Sequence, residues 1–404
     1  MPSASAYDIS VAQSRTTLYT GIGSIYMVQT PAMGLYLVYM DSDNQKVSFV
    51  KSLDGGYTWS VPITVSATGQ PTSVSVWYDR WSNISAGLIH VAYTESTNDD
   101  TLYRTINTES SDALSTETTI FAGASTAGGA SLSITRAVGG NVYCRTVIDA
   151  GAEGEFRRLP NANVPSGAWD AARTINEALA TSDQMILLPD LNSADNQDIY
   201  GIFWDASADE ISRQNYDDSA NTWAETSIST GMVEPITTGA NASFPHFAAA
   251  TDLANSQHVL IAWTGSDTLN ADLKCWTVNS TTITAKTDVI TNSTDDQGLA
   301  AIGIDTDTGD WHAYYCGKTD GSETWLTGVH VYKRISTDDG STWSAEIAVT
   351  GNFINPVADI RWLVTTPRFV AQSPVAYAVN IGLPEIRVCL PSVSKQRSQA
   401  ILGV

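Results

Sequence analysis

The sequence predicts an all-β protein: a seven-bladed β-propeller of four-stranded antiparallel blades. Three observations predict it. One strand pattern recurs along the chain, a tryptophan-ended turn returns at a common interval, and a spare strand stands near the N-terminus. Four-stranded units repeating every ~40 to 60 residues are the mark of propeller blades.

The pattern is plainest in "GLYLVYMDSDNQKVSFVKSLDGGYTWSVPITV", residues 34–65. It runs through an apolar strand, a short acidic loop, a second alternating strand, a Gly-rich turn ending in Trp59, and a last strand. The same order returns from Leu88, Asn141, Ile199, His258, Trp311 and Val375. A further short strand precedes each pair, as in "SIYMVQT", "TSVSVWY" and "QMILLPDL". Each unit therefore holds four strands, a to d, punctuated by turn residues. Trp59 lies 110 residues before Trp169, Trp169 lies 54 before Trp223, and Trp223 lies 120 before Trp343. The skipped copies fall in the second and fifth units, which lack the Trp. Such strands cannot bury both faces of a lone sheet, whereas blades stacked round a ring can, with few edges left over.

Six units are complete, and the seventh, after Pro356, supplies strands a, b and c. Tyr7–Gln13 is the spare strand, expected to pair as strand d of the last blade and close the ring. A six-bladed ring with an extra C-terminal sheet is the alternative. Residues 1–393 then form one domain, and 394–404 a C-terminal tail expected to be held by a partner.

Two octets fit S-x-D-x-G-x-T-W: Ser52, Asp54, Gly56, Thr58, Trp59 and Ser336, Asp338, Gly340, Thr342, Trp343. A third stretch, "YDDSANTW", keeps Asp217 and Trp223 but is one residue longer and lacks the Gly. An Asp in a tight turn accepts bonds from the following backbone N–H groups, and Gly allows positive φ. Thr adds a hydroxyl bond, and Trp is a large apolar plug with one donor. The octet thus reads as a lock between strands c and d, not a catalytic loop. It resembles the Asp-box, or bacterial neuraminidase repeat, of the sialidase-like β-propellers, and with the strand repeat the resemblance spans nearly the whole chain. The resemblance implies that the octets lie away from the substrate side, which carries the b–c and d–a loops. It also implies that an active member clamps a carboxylate with three arginines, beside a Tyr–Glu nucleophile pair and an Asp acid/base.

The b–c loops hold many carboxylates, among them Asp41, Glu95, Asp100, Asp209, Asp272, Asp320 and Glu323, and one basic residue, Lys318. Arg15 is the single arginine assigned to that side, and the nearest match to the family's early arginine motif, "FRRLP" (156–160), falls mid-chain on a strand c. Anion recognition needs a cationic clamp, so sialidase activity is not expected. A packed rim of solvated acids is the plain reading of these loops. The candidate ligand or partner contacts are Arg15, His246, Asp320, Glu323 and Trp325. The loop acids are candidate Ca²⁺ ligands only in number, since no spaced D-x-D-x-D-G run occurs, and no cofactor is expected.

The formal charge is -22, with 21 basic and 43 acidic residues, which favours solubility and opposes binding to nucleic acid or anionic membranes. No apolar run approaches membrane-spanning length, and "MPSASAYDIS" has no Sec-type signal. Cys144, Cys275, Cys316 and Cys389 are widely spaced and read as buried free thiols, as in a reducing cytoplasm. Together these point to a non-catalytic propeller: a structural or adhesion component of a virus particle, such as a bacteriophage tail, nozzle or decoration protein assembled in the host cytoplasm. Its expected partners are other virion proteins, copies of itself, or a cell-surface glycan. The alternative is a polysaccharide-active enzyme (glycoside hydrolase or lyase) or a lectin on the same scaffold, because two suitably placed carboxylates suffice for glycoside hydrolysis.

Overall fold

The structure, a computed structural model, describes residues 7–13, 25–41, 45–67, 69–78, 87–123, 132–146, 155–176, 183–205, 207–232, 247–264, 272–291, 298–320, 322–323, 330–350, 359–366, 368–369, 374–381 and 383–390. Strand β1 is Tyr7–Gln13. The first sheet is β2 (Ile25–Gln29), β3 (Leu35–Asp41), β4 (Lys46–Ser52) and β5 (Ile63–Thr64). The second is β6 (Pro71–Tyr78), β7 (Leu88–Glu95) and β8 (Thr101–Asn107), flanked by β9 (Ala113–Leu114) and β10 (Thr118–Phe121). The third holds β11 (Leu132–Arg136), β12 (Val142–Thr146) and β13 (Glu155–Leu159). The fourth is β14 (Gln184–Pro189), β15 (Ile199–Asp205), β16 (Glu210–Asp217) and β17 (Thr222–Thr230). The fifth is β18 (Phe247–Asp252), β19 (Gln257–Thr264), β20 (Asp272–Val278) and β21 (Ile283–Ala285). The sixth is β22 (Gly298–Asp305), β23 (Trp311–Cys316), β24 (Val331–Ser336) and β25 (Ile347–Ala348). The last joins β26 (Asp359–Thr365), β28 (Val375–Ile381), β29 (Leu383–Leu390) and β1, while β27 (Arg368–Phe369) runs parallel to β22. Among the described residues the one helical element is a single 3₁₀ turn, Asn161–Asn163, and no helix is long and apolar enough to cross a membrane.

The chain is therefore an all-β propeller of antiparallel blades, and β1 pairs with β29 from Tyr7↔Leu390 to Gln13↔Glu385. The expectation of seven blades, all four-stranded, is corrected: six sheets have at least four strands, and the third has three. Its missing strand has a physical reason. The segment after β13 makes two backbone bonds to it, Asp170 N–H to Arg158 O and Arg173 N–H to Phe156 O, and no ladder forms. Side chains hold that segment instead. Arg158 bonds Asp170 at 2.7 Å and Asp218 at 2.7 and 3.0 Å, and the Arg173 guanidinium lies 3.1 Å from Asp218.

The innermost strands touch in chain order: β2 with β6, β6 with β11, β11 with β14, β18 with β22, β22 with β26 and β26 with β2. Leu188 of β14 and Phe247 of β18 share one apolar cluster. Hydroxyls stitch part of this ring, since Ser75 accepts the N–H of Ile134, and Ser133 accepts that of Leu187. The core lies between sheets. Val38 and Phe49 of the first pack with Val76 and Val91 of the second, and Val259 and Trp263 of the fifth with Ile302 and Tyr315 of the sixth. All four cysteines are buried thiols outside any disulfide, and burial pushes the Cys275 thiol up to about 12.

Both full octets form the same turn. Asp54 accepts from the Ser52 hydroxyl (2.7 Å), the Thr58 N–H (2.9 Å) and the Thr58 hydroxyl (2.6 Å), while Ser52 accepts the Gly56 N–H (2.7 Å). Asp338, Thr342, Ser336 and Gly340 repeat these bonds at 2.7–2.9 Å. The third stretch differs: Asp217 accepts Ala220 N–H and Ser219 hydroxyl bonds, Asn221 takes φ 54°, and Trp223 bonds Thr174 O. Gly340 has φ 78°, and a Cβ there would meet Trp311 Cζ3 at 2.6 Å. Gly340→Ala is expected to lower unfolding stability by ~2 kcal/mol, read as a shifted urea midpoint.

Candidate functional site

Antiparallel order puts the a–b and c–d turns at one end of each sheet and the b–c loops at the other. At the b–c end several described carboxylates brace the backbone, Glu95 and Asp205 in their own loops and Asp100 in the segment after β10. Glu95 accepts the N–H groups of Thr97 and Asn98, Asp205 those of Ser207 and Ala208, and Asp100 that of Gly123. Asp320 accepts the Ser322 N–H and hydroxyl and pairs with Lys318. Those donors, Lys318 first, hold the Asp320 carboxyl down at about 2. It is a loop staple.

Glu323 is different. It is mostly buried, and its Oε1 lies 2.8 Å from His330 Nδ1. Among the described residues its other oxygen is buried without a hydrogen-bond partner. His330 and Tyr332 stand two residues apart and so project to one face of the sheet. Their rings are 5.9 Å apart, and Tyr332 stacks on Tyr315 at 6.2 Å. Burial, then the Glu323 carboxylate, pushes the Tyr332 phenol above its usual range. Below, the Tyr315 hydroxyl donates to Glu346 at 2.6 Å, and Glu346 also accepts the Thr319 N–H. The result is a carboxylate–imidazole pair at the edge of a buried aromatic column, in which Tyr332 is 4% and Tyr315 0% exposed, so that a ligand would meet Glu323 and His330 and not the rings beneath them.

The lower pair is structural, because the second sheet repeats it. There the Tyr93 hydroxyl donates to Glu117, which also accepts the Ala67 N–H. Each pair is accompanied by an arginine reaching the preceding sheet: Arg104 bonds Val65 O, and Arg334 bonds Val289 O. Burial, and then the adjacent glutamate, raises both phenols, so neither is prepared as a nucleophile.

Of the candidates read from sequence, Asp320 and Glu323 thus fall within one loop, whereas Arg15, His246 and Trp325 lie outside the described residues. His330, Tyr332, Tyr315 and Glu346 were missed. The alternation in "HVYK" is the signal that puts His330 and Tyr332 on one face.

Other described arginines are engaged within the walls. Arg136 bonds Gly140 O and Asn161, Arg145 lies 4.6 Å over the Phe203 ring, and Arg213 bonds Asn279 O. The buried histidines are likewise committed, His90 to the Tyr103 hydroxyl and His258 to Thr251 and Pro189 O. Among the described residues no group of three or more His, Cys, Asp or Glu could hold a metal ion.

No protein-family model matches the chain, and no curated protein does. Solved structures do. Trypanosoma rangeli sialidase in complex with sialic acid is 8% identical with a TM-score of 0.46, covering 99% of this chain and 61% of that one. The SapL1 lectin in complex with alpha methyl fucoside is 8% identical at 0.45, covering 92% and 96%. Kuenenia stuttgartiensis hydrazine synthase is 9% identical at 0.53, covering 94% and 99%. The chain spans about three fifths of the sialidase's length. Its structural neighbours thus include sialidases and fucose lectins, and the match at a TM-score of 0.53 is a likeness of fold alone.

Proposed function

We propose that the chain is a non-catalytic Asp-box propeller serving as a structural or adhesion component of a virus particle, partnered by other virion proteins or its own copies. One observation supports the non-catalytic part: Tyr93, Tyr315, His258, Arg104, Arg136 and Arg334 are bound into the blade walls and so are not free to form a sialidase-type site. The charge of -22 suits a particle component that must not adhere to packaged nucleic acid. We read the three-stranded sheet as the seventh blade, its fourth strand replaced by the Arg158–Asp170 segment. Mass photometry of the purified chain tests the assembly role. The expected result is higher-order species, and a strict monomer at all concentrations overturns it.

A second reading, glycan binding or polysaccharide cleavage, is favoured by the Glu323–His330–Tyr332 cluster. On a glycan array it predicts retention of one sugar class, reduced about tenfold or more by His330→Ala, consistent with loss of an anchoring contact.

A further inference from the structure

Strand β17 is the outermost of its sheet, and none of its nine residues is buried. Thr222, Ala224, Glu225, Thr226, Ser227 and Thr230 are exposed. Beyond its ladder with β16, the backbone of residues 222–229 makes no hydrogen bond among the described residues. Every second residue of an antiparallel strand turns its N–H and C=O to the far side, so this edge presents a row of unused donors and acceptors. The other outer strands are shorter, covered or broken. β5, β9, β21 and β25 have two or three residues, and β10 has four. β13 accepts the Asp170 and Arg173 N–H groups, and β1 has a bulge between Ser10 and Ala12.

Natural sheets blunt a long edge with Lys, Pro, bulges or inward charges. β17 holds no Lys and no Pro, and its bulge is confined to Ile228, so the six pairs from Asp217↔Thr222 to Ser212↔Ser227 run unbroken. Its one charge, Glu225, turns back into the blade. It accepts the Ser212 hydroxyl at 2.7 Å, Gln214 Nε2 at 3.3 Å and Asn176 Nδ2 at 3.2 Å. In a chain of formal charge -22, an edge whose single acid is already bound inward is where a second copy meets least repulsion. A partner selected by charge finds little to read there, whereas an identical edge supplies matching donors and acceptors. Equivalent residues of two copies point outward alike, so a two-fold axis must pass through a residue, and the pairing is antiparallel. An axis at Ala224 sets Thr222 opposite Thr226 of the second copy, and an axis at Thr226 sets Thr226 opposite itself. An axis at Glu225 is disfavoured, because it opposes two carboxylates.

We propose that the β17 edges of two copies pair antiparallel about a two-fold axis at Ala224 or Thr226, joining two blades into one continuous sheet. This contact rests on the assembly reading above and names the surface it uses; the tail 394–404, where the sequence led us to expect a partner, lies outside the described residues. The test is mass photometry of Ala224→Lys/Thr226→Lys beside the unaltered chain. The added lysines lower the net negative charge, which by itself strengthens association. At a paired edge they face one another, and the dimer dissociation constant is expected to rise about tenfold or more. Constants equal within about twofold overturn this contact and leave the assembly reading standing, whereas an unaltered chain that stays monomeric overturns both. A second variant, Thr222→Cys/Thr226→Cys, bridges two copies with either axis. Its new thiols stand too far apart along one strand to bridge within a chain, and the native thiols are buried. Oxidation is expected to give a bridged dimer, and its absence overturns the proposal.

Discussion

Trp263→Ala is expected to cost about 4 kcal/mol of unfolding stability, among the largest single-residue effects in the chain. Trp263 is 1% exposed on β19 and packs across the seam onto Ala300, Ile302 and Ile304 of β22. Its indole N–H donates to Leu299 O at 2.8 Å, and Leu299 sits at the β22 bulge with φ 57°. The substitution therefore empties a seam and orphans a carbonyl whose strained backbone is held by that bond. Trp263→Phe keeps most of the ring and loses the donor, so about half the cost is expected. Urea midpoints at constant slope are the measurement. A loss below about 1 kcal/mol for the Ala variant would mean that the seam relaxes around the void.

Acid is expected to act next, in two phases. Burial lowers His258 to about 4, with Pro189 O and Asp252 opposing, and burial lowers His312 to about 3, with Lys333 adding to the effect. His90 is also pushed down, first by burial and then by Arg136. An unfolded histidine titrates near 6.5, so below that pH the unfolded chain takes up protons that the folded chain refuses. Stability thus falls as pH drops from ~6.5 toward the folded values, and His258 alone accounts for about 3 kcal/mol of the loss by pH 4. Below that, the turn carboxylates take over, because Asp54 stays ionised down to about 2 and its bonds fail only there. His258→Gln is expected to flatten the first phase and leave the second. An unchanged profile above pH 4 would contradict the assignment.

Much of the fold was legible because repetition multiplies a weak signal. One Trp-ended turn says little, but Trp59, Trp223 and Trp343 at related intervals, with strand pairs between them, fix an order of blades. The closing strand was legible from counting, since the seventh unit lacked one strand and Tyr7–Gln13 was left over. The third sheet was not legible. Its last strand gives way to side-chain pairing of Arg158 with Asp170 and Asp218, residues distant in sequence whose meeting no local pattern announces. Nor was the parallel pairing of β27 with β22. It depends on Gly303, where a Cβ would meet Thr366 O at 2.5 Å.

The site was half legible for a similar reason. Loop acids were conspicuous, yet composition could not separate Asp320, which staples its loop, from Glu323, which reaches His330. That distinction rests on a side-chain meeting, Glu323 Oε1 with His330 Nδ1 at 2.8 Å, which composition does not announce.

The proposed role, assembly or adhesion without turnover of a substrate, is open to a direct test. The measurement that bears on it most directly is release of reducing ends from a panel of sialylated and neutral polysaccharides, with the unaltered chain beside Glu323→Gln. No release by either protein is expected. Release by the unaltered chain that disappears in Glu323→Gln would contradict it and make the Glu323–His330 pair a catalytic acid/base.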